Sequence, residues 1–424
     1  MADAALFPLR VPKPDHVPDA LVYDIDLKDD PGFLAGPHER ILRLFAETPP
    51  IFWTPRLGGH WVMLGYEANF EAGRDWESFT SQQVPPEQLQ AMLAARPAGS
   101  PHIPMSVPIT LDPPLHTKYR LPLNSSFSPK GVAALTAGIR ALAVELIERV
   151  KPHGACEFMH AVAEPLPVQV FLKFMGLPVE QLAEFRALAV KFLAHIDDGP
   201  QATIGTSLEI VAAMRPTFLA RKNDPKDDLI SLLWATKIDG EPMTLELMED
   251  YGILLFIGGL DTVMNGIGFA ARRLASDPAL QQRLRDDPKL IPDAVEEMLR
   301  CYSFAVPVRL AAKDLVFQGV EMKQGERVWL LLAGADLDPA HWAEPGRFDL
   351  KRDDKVHIAF GTGPHRCLGS HLARVELQIL YEELLSRLPP FRLDPERPPT
   401  FHGGHVIGLD SLDLVWGAPG PLAS

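Results

Sequence analysis

One segment of about thirty residues constrains this chain more than any other. From Thr244 it runs through LELMEDYGILLFIGGLDTVMNGIGFAARRLAS to Asp277-Pro278. Thr244 is a suitable N-cap and Asp-Pro a suitable stop, so the segment reads as one helix. At ~1.5 Å per residue it is a rod of about 45 Å, long enough to cross a molecule of this size. Residues Ile253 to Ile257 are apolar all round, which requires burial. Its centre nevertheless reads Gly258-Gly259-Leu260-Asp261-Thr262. Two glycines cost roughly 1 kcal/mol each in a helix interior, and a carboxylate in an apolar rod costs more unless it is paired. A penalty placed there marks function, with a kink that frees backbone groups as the expected form.

A buried rod needs a large core, and 46% hydrophobic residues in 424 supply one. The 55 acidic and 41 basic side chains leave a net charge of -14, which argues against nucleic acid or anionic lipid as the main partner and favours small molecules. The longest apolar run, Tyr251 to Leu260, is stopped by Asp261 short of the ~18 residues of a membrane span. Pro8 and Pro12 interrupt the start where a signal peptide needs a continuous apolar stretch. A soluble, cytoplasmic protein without a membrane segment is expected. Cys156, Cys301 and Cys367 are too few and too scattered for a disulfide framework or a four-thiolate zinc site, so any special cysteine acts alone.

The chain is expected to be one domain, mainly α with small β-sheets. Residues 1–110 form a proline-rich, β-containing region and residues 111–424 a helix-rich core. PIFWTP and HWVML flank Leu57-Gly58-Gly59 as a hairpin, and the prolines between 80 and 115 make a long loop that serves as pocket wall. VAALTAGIRALAVELIERV and VEQLAEFRALAVKFLAHI are helical by period; VPVRLAA, LVFQGV, RVWLLLAGA, HVIGL and LDLVW read as strands.

The second anomaly is Phe360-Gly361-Thr362-Gly363-Pro364-His365-Arg366-Cys367-Leu368-Gly369, followed by the helical SHLARVELQILYEELLSRL. Cys367 thus stands just before or at a helix N-terminus, where free N–H groups and the helix dipole favour a thiolate. Glycines there let the backbone approach a flat, bulky ligand. Taken alone, a single cysteine in a glycine turn is more often a buried structural residue.

FGTGPHRCLG resembles the haem-binding loop of the cytochrome P-450 family of haem-thiolate monooxygenases. Further matches lie in the family's order: Glu297-Met298-Leu299-Arg300 resembles its E-x-x-R motif, Pro345-Gly346-Arg347-Phe348 the segment supplying a third member, and Gly258 to Thr262 its oxygen-activating helix. The resemblance spans essentially the whole chain and is nearest to the soluble bacterial camphor-hydroxylase branch. It implies haem b ligated by Cys367, propionates held by His116, Arg120, Arg309 and His365, and a charge triad of Glu297, Arg300 and Arg347. It also implies proton delivery through Asp261 and Thr262, although Thr262 could equally bond back to its own helix and Asp261 pair with a surface arginine.

The camphor-binding member of that branch orients its ketone with a tyrosine, whereas residues 84 to 111 here contain none; His102, Ile103, Pro104 and Met105 stand near that place. Camphor is therefore disfavoured and another small terpenoid favoured. Pocket residues expected from neighbouring matches are His102, Leu254, Ile257, Gly258, Ala305 and Val306. Electrons are implied to come from an NAD(P)H-dependent reductase through a two-iron ferredoxin. Between Pro345 and Arg374 six basic residues face three acidic ones, an excess of three; Lys355, Arg366 and Arg374, extended by Lys118, are the expected docking surface, with ordinary solvation as the alternative. Rival readings are a haem-thiolate peroxygenase or isomerase, and a non-catalytic haem sensor. A zinc or P-loop enzyme lacks its motifs here.

Overall fold

A computed structural model describes residues 10–82, 84, 102–194, 200–260 and 262–417. Asp261 lies outside the described residues. The architecture is mainly α-helical with small sheets, as the periodicity predicts.

The long apolar segment is helical over Leu245–Leu260 and again over Thr262–Ser276. Thr244 caps its start, its Oγ1 accepting from the Leu247 N–H at 3.2 Å. Counting consecutive apolar residues understated this stretch. By length and composition alone, 245–276 could cross a membrane, with a mean hydropathy of 1.6. In the folded chain it is a core helix: its first half lies against Pro165–Met175, Leu182–Ala194, Pro200–Asn223 and Leu229–Ala235, its second against Pro278–Asp286, Ile291–Cys301 and Ser370–Arg387. Ile253, Leu255 and Phe256 are buried in that packing. The two central glycines have different reasons. A Cβ at Gly259 would collide with the Phe171 ring, so this glycine admits a neighbouring helix; a Cβ at Gly258 would meet nothing within 4 Å.

The largest sheet is built around the expected hairpin. Ile51–Thr54 pairs antiparallel with His60–Met63, turning through Leu57, Gly58 and Gly59 at φ of 49°, 78° and 77°. Arg327–Leu330 adds parallel to the hairpin, then Val308–Ala311 and Phe79–Thr80 antiparallel. Two expectations need correction. RVWLLLAGA is a strand only over Arg327–Leu330 and becomes helical at Leu332–Asp336. Every residue from Val328 to Asp336 is buried, and a continuous apolar run carries no period to separate strand from helix. HVIGL is mostly the connection between Thr400–His402 and Gly408–Ser411, and its Val406 forms an isolated bridge to Ala305.

Candidate functional site

Cys367 is delivered by a loop whose backbone closes on itself. The Cys367 N–H donates to the Phe360 carbonyl at 2.8 Å, and the Gly361 N–H to that of Ile358 at 2.7 Å. Gly363 has φ of 67°, and a Cβ there would also run into the Gly73 carbonyl, so the loop needs glycine for both conformation and contact. Thr362 Oγ1 fastens the loop to the Phe70 carbonyl at 3.2 Å. The helix Ser370–Arg387 begins three residues after the cysteine. Cys367 is exposed, whereas Cys301 is buried. Close packing around the sulfur pushes the Cys367 thiol up, while the Gly369 N–H and the guanidinium groups of Arg120, Arg366 and Arg374 pull it down. Such a sulfur, at a helix entry and ringed by cations, suits a metal that replaces its proton.

Beside the loop, His116, Arg120, Arg309 and His365 form one positive cluster. The His116 and His365 rings lie 4.1 Å apart. Burial, then Arg120 and Arg309, lowers His116 to about 4; burial, then Arg309, His116 and Arg120, holds His365 far below its ordinary value. Arg309 is 8% exposed, and burial brings even its guanidinium down to about 10. Among the described residues its Nη1 donates only to the adjacent Val308 carbonyl, at 2.8 Å. The nearby carboxylate, Asp112, already accepts from the Thr80 hydroxyl, from the Ser81 N–H at 2.9 Å and from the Gln82 amide at 3.2 Å. His116 Nδ1 and His365 Nε2 are buried with no hydrogen-bond partner among the described residues. Buried polar groups are nearly always satisfied, so this cluster is shaped for an anionic group.

The core helix carries an interrupted stripe of exposure. Leu254, Ile257 and Gly258 remain partly or fully exposed although their neighbours Ile253, Leu255 and Phe256 are buried. Thr262 Oγ1 donates to the Gly258 carbonyl at 2.9 Å, the back-bonded form anticipated as its alternative. The oxygen keeps free lone pairs in that geometry. Asp261 lies outside the described residues.

The family profile for cytochrome P-450 matches residues 201–409. A protein of Sinorhizobium fredii named as a probable cytochrome P-450 127A1 is 36% identical over 414 residues, covering 96% of this chain and 97% of its own. This chain is a cytochrome P-450. Two further likenesses agree: a steroid C26-monooxygenase of Mycobacterium tuberculosis, 32% identical over 94% of this chain and 98% of its own, and the crystal structure of CYP101J2, with a TM-score of 0.84 at 33% identity over 96% and 100% of the two chains.

As a member of the family, this cytochrome P-450 is a monooxygenase that binds haem b through the Cys367 thiolate. The residues present fit the group: the orphaned imidazole nitrogens and the unneutralised Arg309 match the two carboxylates of a haem edge. Arg120 adds a tie across the site, its Nη2 donating to the Arg366 carbonyl at 2.6 Å.

The charge scaffold of this cytochrome P-450 corrects one expected member. Arg300 and Glu297 form a bidentate pair at 2.8 and 2.9 Å, 1% and 4% exposed. The third charge is Arg352, whose Nε donates to Glu297 Oε1 at 3.2 Å. Arg347 points outward to Glu344 at 2.7 Å, and only its carbonyl joins the network, accepting from Arg300 and Arg352. The turn from 345 to 352 exposes the first guanidinium and buries the second, which spacing along the sequence does not reveal.

The expected docking surface also changes. Arg374 is held by Glu296 at 2.6 and 2.9 Å, Lys355 by Asp293 at 2.9 Å, and Lys118 by Asp239 at 2.5 Å. These carboxylates belong to other segments, so a window of sequence could not count them. Arg366 is exposed with no carboxylate partner among the described residues. Among the pocket residues, Val306 is buried in the core at 2% exposure and Ala305 remains partly open. Val406, bridged to Ala305, is the neighbour that sequence reasoning missed; its signal was the strand-like HVIGL, read as pairing with the chain end instead.

Proposed function

We propose that this cytochrome P-450 hydroxylates a small to medium alicyclic isoprenoid, a terpenoid in the first instance. The observation that carries the reading is the apolar stripe of Leu254, Ile257 and Gly258, three residues that offer hydrophobic contact and carry no charge. The relatives named as a steroid C26-monooxygenase and a vitamin D(3) 25-hydroxylase act on apolar isoprenoid-derived molecules by those names, which supports the class. Bound haem supplies oxygen activation and insertion into a C–H bond. The chain's own part is to hold the substrate by apolar contact, exclude water, and manage protons at Thr262 Oγ1, with Asp261 as the acid that replenishes them. Releasing the Gly258 carbonyl, the Thr262 hydroxyl can turn its proton toward the reacting centre.

A two-iron ferredoxin, reduced by an NAD(P)H-dependent reductase, is the proposed electron donor. Arg366, beside the cysteine, is the cation left for its acidic surface, and Leu121, 68% exposed on the helix carrying Arg120, gives an apolar neighbour. A cytoplasmic location goes with such a partner. The test is a panel of monoterpenoids, norisoprenoids and sterols, scored by the haem spin-state shift on binding. A response confined to sterols would overturn the small-terpenoid reading, and a strongest response to camphor would overturn the inference from the missing tyrosine. Thr262→Ala should uncouple electron use from product; unchanged coupling would favour a peroxygenase or isomerase.

A further inference from the structure

One carboxyl group ties the described part of the pocket loop to the core helix. Asp250 is 9% exposed, and its Oδ1 accepts from His102 Nε2 at 2.8 Å and from the Met105 N–H at 2.6 Å. Two residues further, Pro104 and Val107 of the same loop, are buried, so the loop is seated and not merely tethered. The position of the carboxylate on its helix matters. Residues 250, 254 and 257 recur at intervals of four and three, so Asp250 stands on the stripe that carries Leu254 and Ile257. Its neighbours fasten other walls at the same level: Glu249 takes Arg215 Nε of the helix Pro200–Asn223 at 2.7 Å, and the Tyr251 hydroxyl donates to the Tyr119 carbonyl at 2.6 Å.

We propose that Asp250 is a positioning residue for the substrate pocket: it fixes the 102–107 wall against the substrate-facing stripe, and its hold is charge-assisted only while His102 is protonated. The bonds to His102 and Met105 converge on one buried oxygen, so loss of Asp250 releases both at once. The groups facing His102 among the described residues are Asp250, Glu249 and Glu246, all on the core helix. Arg215 engages Glu249, and Lys222 acts on Glu246, from the helix packed alongside. The bond to Asp250 raises His102 above the ordinary imidazole value. The stronger grip is therefore fully present below that ordinary value, ~6.5, and is lost as pH rises through the raised one. The pocket wall should loosen on the alkaline side.

This inference rests on the haem-thiolate reading only for its optical arm. In that arm the haem-loaded, reduced full chain is mixed with tert-butyl isocyanide, a bulky iron ligand that does not titrate, and its dissociation is followed from about pH 6 to about pH 9. Dissociation from the native chain should quicken about tenfold with rising pH, the scale of one charge-assisted hydrogen bond. His102→Gln, whose neutral amide still donates to Asp250 without an imidazolium charge, should hold the native chain's alkaline rate at every pH and lose the pH dependence. Asp250→Ala should be fast throughout. A pH profile that survives in His102→Gln, or unchanged rates in Asp250→Ala, would overturn the proposal. The second arm needs no haem. Amide hydrogen exchange across 102–107 should accelerate in Asp250→Ala in both haem-free and haem-loaded protein, and unaltered protection would also overturn it. Should the reduced carbon monoxide complex lack the red-displaced Soret band of thiolate ligation, the haem reading fails while the exchange arm still judges Asp250.

Discussion

Two clusters of charge in the folded chain are built on opposite rules. In the first, Glu297 accepts from Arg300 and Arg352, and Arg300 spends its remaining donors on the carbonyls of Asp336, Pro345 and Arg347. Both guanidinium groups there are paired with one carboxylate of the chain's own. In the second, burial and then the guanidinium groups of Arg120 and Arg309 depress the proton affinity of His116 and His365. The first cluster is scaffold and the second is a receptor. A buried pair that neutralises itself specifies geometry, whereas a buried surplus of one sign specifies a ligand of the other.

The contrast can be broken most forcefully at Arg300. Arg300→Leu removes the bidentate partner of Glu297, leaves that core carboxylate to Arg352 alone, and should cost about 3 kcal/mol or more, seen as lost soluble yield and a lower unfolding midpoint. The next largest effect separates the two arginines of the following turn: Arg352→Ala should lose about 1.5–3 kcal/mol, the range for a hydrogen bond to a charged group. Arg347→Ala, at an outward-facing side chain, should leave the unfolding midpoint where it was. Equal losses at 347 and 352 would return the third charge to Arg347.

At the receptor cluster the sign reverses. Arg309→Leu removes a cation that has no carboxylate of its own, so the haem-free protein should be no less stable. Its haem should transfer to an acceptor globin about tenfold faster, the value of one charged hydrogen bond. A destabilised haem-free protein would show that Arg309 is scaffold after all. The smallest effect is one of pH. The folded value of His116, about 4, lies below its unfolded value of ~6.5, so between these limits the unfolded chain binds the extra proton. The haem-free protein should lose stability as pH falls through that window. His116→Gln should flatten the loss, and bound propionates should offset it in the native protein; pH-resolved denaturant melts of both forms check this.

Much of this was legible in sequence because local chemistry announces itself. FGTGPHRCLG needed its glycines for a left-handed turn at 363 and a close approach to Gly73, and both are visible as residue types. The core helix declared its burial through apolar residues on every side, and Thr244 declared its start. What sequence could not show is which side chains meet across long separations. Asp293 and Glu296 neutralise Lys355 and Arg374 from a helix 62 and 78 residues earlier, so a local charge count overstated the docking patch. Arg347 and Arg352 are indistinguishable until the turn between them is folded. Asp250 looked like one acid among several in MEDYG, and only the returning loop makes it an anchor.

That anchor has a consequence for how this pocket can change over evolutionary time. Asp250 and Gly258 are eight residues apart on one continuous helix, about 12 Å along its axis. The span between the loop's fastening and the small residue whose carbonyl engages Thr262 is therefore dictated by helical rise, which no single substitution alters. In the proposed pocket, replacements at 254 and 257 widen or narrow the chamber. Its depth is inherited with the backbone, so descendants of this chain should diversify by the girth of what they accept sooner than by its length.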